Sequence, residues 1–189
     1  MLIARRHGMA FVAGLRLGSL RRFRIARIFG AGMALQVVGV LLAALMPPPE
    51  ELASPMMRFL SFGRWAVLLL FVLAVVLAPL LEESLFRGVL LPALRKHMAF
   101  QPAALLVTVL FAALHGVQTG GYVPALVVIA LAGYVMAYLR EASGALWPPI
   151  LFHMGFNFTA LLPVVLLGER VPEGYPGEGP AVHGRARAP

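Results

Sequence analysis

The chain contains no cysteine, which removes disulfides, thiolate nucleophiles and cysteine-ligated zinc from consideration. It contains no aspartate either, so any carboxylate chemistry must come from eight acidic residues that are all glutamate. Charge of both signs is sparse. Charged residues make up 13% of the 189 and hydrophobic residues 60%, where soluble domains run at about 25% and roughly 45–50%. Mean hydropathy is +0.86. A single core of this size cannot hide that apolar excess, so part of the solvent must be lipid.

What charge there is lies unevenly. The formal net charge is +8, and Arg5, Arg6, Arg16, Arg21, Arg22, Arg24 and Arg27 all precede the first long apolar run. A basic arm serves either nucleic acid or a membrane surface. The adjoining hydrophobic segment favours the membrane, with the arm as a topology signal and no nucleic-acid partner. It does not read as a cleaved signal peptide, because FVAGL is too short for an h-region and the basic cluster follows it.

Five apolar segments can be drawn, at 28–46, 62–97, 102–116, 122–139 and 145–167. The first stops at Pro47-Pro48-Pro49 and a polar acidic linker follows. The second is far longer than one span needs and carries Pro79 and Pro92, so it is expected to kink, tilt or run along the surface. The expected fold is an all-α, polytopic transmembrane helix bundle of about five spans. Residues 1–27 form a basic cytoplasmic arm, 28–168 the helical domain, and the Pro/Gly-rich 169–189 a disordered tail. The positive-inside rule places the N-terminus in the cytoplasm, with Arg87, Arg95, Lys96 and Arg140 on the same side. No internal repeat stands out, which gives an inverted-repeat transporter no support.

The stretch LAPLLEESLFRGVLLP sets Glu82, Glu83 and Arg87 inside the longest apolar run. Ionisable residues within spans are costly, and their default reading is functional. Adjacent helical residues point about 100° apart, so the two glutamates cannot share one task. Glu83 and Arg87 are spaced i,i+4 for an ion pair within the helix, which leaves Glu82 aimed elsewhere. Phe111 and His115 have the same spacing, as do His153 and Asn157. Counted at 1.5 Å per residue from their cytoplasmic ends, Glu82 and His115 both lie about 20 Å deep, with His153 shallower and Asn157 one turn deeper. The stripes can therefore converge, given tilt.

A glutamate beside a neutral histidine can hold a water and accept its proton, and a second histidine with an amide can donate to a developing oxyanion. Those parts suit amide hydrolysis. Glu82, His115 and His153 would equally serve as a His₂Glu zinc set, although the spacing is not that of HExxH. Each motif also has a structural reading. EExxxR can be a helix-stabilising pair, His115 before Gly116 a helix cap, and His153 with Asn157 interhelical glue. Phe86 and Phe111 read as packing. The ordered combination at compatible depths favours a site.

EESLFRG at 82–88, FAALH at 111–115 and HMGFN at 153–157 resemble the signatures EExxxR, FxxxH and HxxxN of the CPBP family. This family comprises type II CAAX prenyl endopeptidases together with bacteriocin-processing and Abi-like membrane proteins. FRGVLLPAL and ASGALWPPILFH fit as flanking phrases, and the likeness covers about residues 60–165. The resemblance implies an intramembrane endopeptidase in which Glu82 and His115 activate water. His153 and Asn157 would form the oxyanion hole, with Glu83 and Arg87 in support. It leaves open whether a divalent metal such as zinc takes part. The implied partners are the bilayer and a membrane protein or peptide substrate, in a bacterial or archaeal plasma membrane. The competing expectations are an Abi-type immunity or scaffold protein that binds through the same cluster and, more weakly, a small proton-coupled transporter.

Overall fold

The computed structural model describes residues 14–20, 24–49 and 64–167. The 169–189 tail, most of the basic arm and the linker from Glu50 onward lie outside the described residues. Five helices make up the rest: α1 (Ile25–Leu45), α2 (Arg64–Leu94), α3 (Phe100–Gly116), α4 (Val123–Ser143) and α5 (Trp147–Leu167). No strand occurs among the described residues. The five segments read from the sequence thus correspond to the five helices, with ends shifted by a few residues. α1, α2, α4 and α5 are long and apolar enough to cross a membrane, and α3, at 17 residues, is shorter. The protein is an integral membrane helix bundle.

Burial follows the logic of a lipid solvent. Along α2, Leu69, Leu73, Leu77, Leu81, Leu85 and Val89 are exposed and purely apolar, while the opposite stripe of Val75, Pro79, Glu83, Phe86 and Arg87 is buried. The charges face the bundle and the aliphatics face lipid, as the cost of an ion in hydrocarbon requires. α3 repeats the pattern, with Leu106, Val109, Leu110 and Leu114 outward and Ala104, Val107, Thr108 and Phe111 inward. The central core joins Phe86, Leu91, Val107, Phe111, Met136 and Phe152.

Small residues set the closest helix approach. Gly32 of α1 lies against the carbonyl of Phe152 in α5, and Gly155 of α5 lies against the carbonyl of Phe29 in α1. A Cβ at either position would collide with that oxygen. This reciprocal contact is the small-residue packing by which membrane helices associate without a hydrophobic driving force. It fixes the helix that carries His153 and Asn157.

The long α2 is regular except for two π-type turns, Leu73–Leu77 and Ser84–Leu90. Each ends two residues before a proline, and each has a covalent cause. Proline has no N–H and its ring crowds the carbonyl four residues back, so the helix widens to i→i+5 bonds just ahead of it. Ala78 N–H donates to the Leu73 carbonyl, and Leu91 N–H to the Phe86 carbonyl. In that register the next carbonyls, Ala74 and Arg87, face Pro79 and Pro92 and find no donor in their own helix. Other helices supply one. Asn157 Nδ2 donates to the Ala74 carbonyl at 2.8 Å, and Arg140 Nε to the Arg87 carbonyl at 3.1 Å. Glu82 and Glu83 sit on the short α-helical stretch between these anchored turns. The expected kink of α2 therefore takes the form of two π turns.

The segment 14–20 packs across the α4–α5 turn. Leu15 joins Leu146 and Ile150 in a second apolar cluster, and its side chain occupies the space that a Cβ on Gly88 would need. The carbonyls of Arg16 and Leu17 accept from the Leu146 and Trp147 amides at 3.0 and 3.3 Å, which caps the otherwise unpaired start of α5.

Candidate active site

α2, α3 and α5 bring three of the expected residues to one point. Glu82 Oε2 lies 4.0 Å from His115 Nε2 and 3.8 Å from His153 Nε2. That oxygen is buried and has no hydrogen-bond donor among the described residues, although the Glu82 side chain as a whole is 30% exposed. Glu82 lies on α2 between the π turns, His115 on the last turn of α3 and His153 on the second turn of α5. The convergence matches the depth argument for Glu82 and His115. His153 meets the same oxygen although its count from the α4–α5 turn is shorter.

The outer ring nitrogens fix the tautomers. His115 Nδ1 is 2.8 Å from the Phe111 carbonyl, an acceptor only, so Nδ1 carries the proton and donates. His153 Nδ1 is 3.0 Å from Glu83 Oε1 and donates by the same reasoning. Both Nε2 atoms therefore point toward Glu82. Phe111 also stacks on His115, with ring centroids 4.4 Å apart, and meets His153 edge-on at 5.7 Å. Its expected packing role is thus joined by a second one, since its carbonyl selects the His115 tautomer.

Beneath this surface lies a fully buried ion pair. Arg87 Nη1 donates to Glu83 Oε1 at 2.8 Å, with both side chains at 0% exposure. Arg87 Nη2 donates to the Gly133 carbonyl of α4 at 2.7 Å, and the guanidinium stands 4.7 Å from the Phe111 ring centre. The i,i+4 pairing anticipated from spacing forms. Spacing could not show that Glu83 has a second partner, since the His153 contact spans 70 residues. Both glutamates thus touch His153, at opposite ring nitrogens.

Asn157 projects one turn beyond His153 and spends one amide hydrogen on the Ala74 carbonyl. Its second Nδ2 hydrogen has no protein acceptor among the described residues. Sequence reasoning used Arg140 only as a topology charge and gave no role to Gly133, whereas Arg140 holds the Arg87 carbonyl and the Gly133 carbonyl accepts from Arg87. The usable signal was a proline five residues after each orphaned carbonyl.

The donor set suits a divalent metal in chemical type. Metal-bound histidines commonly donate their other N–H to a carboxylate or a carbonyl, as His153 and His115 do. Even so, no three ligating side chains among the described residues are gathered closely enough to hold an ion.

Comparison with known proteins places the chain in a family. A family model described as type II CAAX prenyl endopeptidase Rce1-like matches residues 64–159, which span α2 to α5 and contain every site residue above. The chain is 33% identical over 150 residues to an uncharacterised 24.3 kDa protein of Escherichia coli, covering 77% of this chain and 67% of that one. No solved structure matches.

Proposed function

The chain belongs to the Rce1-like family of type II CAAX prenyl endopeptidases, and from that premise we propose that it hydrolyses a peptide bond of a membrane-associated protein or peptide. The observation that carries this reading is the donorless Glu82 Oε2 facing two imidazole Nε2 atoms at 4.0 and 3.8 Å. One water can touch all three groups at hydrogen-bonding distance. Glu82 takes a proton from that water while His115 Nε2 orients it, and the resulting hydroxide attacks the scissile carbonyl carbon. The C–N bond then breaks, and the proton on Glu82 passes to the leaving amine, which restores the carboxylate.

His153 faces a carboxylate at each ring nitrogen, and as the imidazolium it donates from Nδ1 to Glu83 and from Nε2 to the tetrahedral oxyanion. The second Nδ2 hydrogen of Asn157 is the other donor. Donors held in place by neighbouring groups need no reorganisation at the moment of reaction. Arg87 and Glu83 act as positioning residues, because they set the orientation of His153 without touching substrate. The arginine-rich N-terminus is proposed to face the cytoplasm.

The test is to incubate purified protein in liposomes with membrane-anchored CAAX-type peptides, S-farnesylated and unmodified, and to identify products by mass spectrometry. A single internal cleavage is expected, lost in His115→Ala. Absence of cleavage for both peptides, with the wild-type protein folded, would favour the binding or scaffold alternative. Wild-type rates in His115→Ala would reject the water-activating pair.

A further inference from the structure

At the opposite end of α2 from Arg64, a cavity of about 520 Å³ opens between the 14–20 segment, the end of α2 and the α4–α5 turn. Arg16, Arg95, Lys96 and Arg140 line it, with Glu141 on its wall and Leu91 beneath. Its size falls within the roughly 300–1,000 Å³ of small-molecule sites. Four cations face one carboxylate, and that carboxylate is already taken, since Arg95 Nη2 binds Glu141 Oε1 at 3.0 Å. Among the described residues Arg16, Lys96 and Arg140 have no acidic partner.

Arg140 gives this cluster its character. It is 93% buried, and its Nε and Nη1 atoms are held by the carbonyls of Arg87, Arg16 and Gly144. Nη2 has no protein acceptor among the described residues, and it is not an enclosed atom. The guanidinium is thus fixed in place with one donor edge toward the cavity and no ion-pair partner among the described residues. Arg16 adds a backbone signal. Its φ of 51° is left-handed, rare for a residue with a side chain. That conformation turns its carbonyl onto both Arg140 Nη1 and the Leu146 amide.

We propose that this cavity binds the phosphate group of an anionic membrane lipid. Phosphate supplies the missing negative charge and the acceptor oxygens that a fixed guanidinium edge and two flexible cations can share. Basic pockets at the ends of spanning helices take lipid headgroups on these grounds. The surroundings favour a lipid over free phosphate. The exposed Leu81, Leu85 and Val89 run along α2 toward Arg95 and Lys96, and Val89 is about 9 Å from Arg95 at 1.5 Å per residue. An acyl chain lying on that stripe brings its headgroup to the cavity mouth.

The test measures thermal unfolding of the full chain in uncharged detergent during titration with short-chain phosphatidylglycerol, phosphatidylcholine of the same chain length, or inorganic phosphate. The expected result is a saturable rise of several degrees with phosphatidylglycerol alone. In Arg16→Gln/Lys96→Gln, both positions exposed, the apparent Kd should rise at least fivefold. Arg64→Gln, at the far end of α2, should respond as wild type. Equal stabilisation by both lipids, or an unchanged Kd in the double variant, would overturn the proposal. A Lys96-dependent response to inorganic phosphate as strong as that to phosphatidylglycerol would overturn its assignment to lipid.

Discussion

Glu82 and Glu83 are neighbours in sequence with opposite circumstances. Glu83 shares its Oε1 between Arg87 and His153 in full burial, while Glu82 presents a donorless oxygen to two imidazoles. The division of labour was legible in the sequence, because i,i+4 spacing pairs Glu83 with Arg87 and a 100° rotation turns Glu82 away. Breaking a buried pair from one side leaves an uncompensated charge and costs about 3–5 kcal/mol, whereas replacing both partners costs far less. Arg87→Met is therefore expected to destabilise the protein strongly, and Glu83→Gln/Arg87→Met to recover much of the loss. Unfolding measurements on the two single variants and the double variant check this, and additive losses would mean that the pair is not coupled. Activity should remain low in the double variant, because His153 Nδ1 loses its charged acceptor.

At the scale of the helix, α2 explains why the site residues were easier to name than to place. Its apolar length and its prolines predicted a kink. The physical form, two π turns with a carbonyl handed to another helix at each, depends on donors far away in sequence, Asn157 and Arg140. Periodicity cannot supply such partners. Asn157, expected as an oxyanion donor, also carries the structural role of satisfying Ala74, and the two roles separate experimentally. Asn157→Ala leaves the part-buried Ala74 carbonyl unpaired, at a cost of about 1–3 kcal/mol. Pro79→Ala restores an N–H to α2, so Asn157→Ala should be less destabilising in that background. Melting temperatures of the four proteins read this coupling. If turnover returns together with stability, Asn157 is only a cap. Turnover that stays low despite recovered stability is the outcome expected of an oxyanion donor.

At the scale of the whole molecule, the family match begins at residue 64, yet α1 lies outside it and packs backbone to backbone against α5. The number and order of helices could be read from hydropathy, but this contact could not, since glycines in an apolar run do not announce their partners. Gly155→Leu should separate α1 from α5, displace His153 and Asn157, and lower melting temperature and activity together. Gly30→Leu, on α1 where a Cβ meets nothing within 4 Å, should change neither. Equal behaviour of the two variants would refute the role given to this interface. All of these supports serve one claim, that three helices converge to leave the Glu82 carboxylate facing two imidazoles as the base for water. The most direct measurement is the turnover rate of Glu82→Gln on the peptide that the wild type cleaves, taken alongside its melting temperature. General-base groups contribute about 10²–10⁴-fold, so the expected result is a loss of at least ~100-fold with melting unchanged. Turnover within a few fold of wild type in a folded Glu82→Gln protein would contradict it.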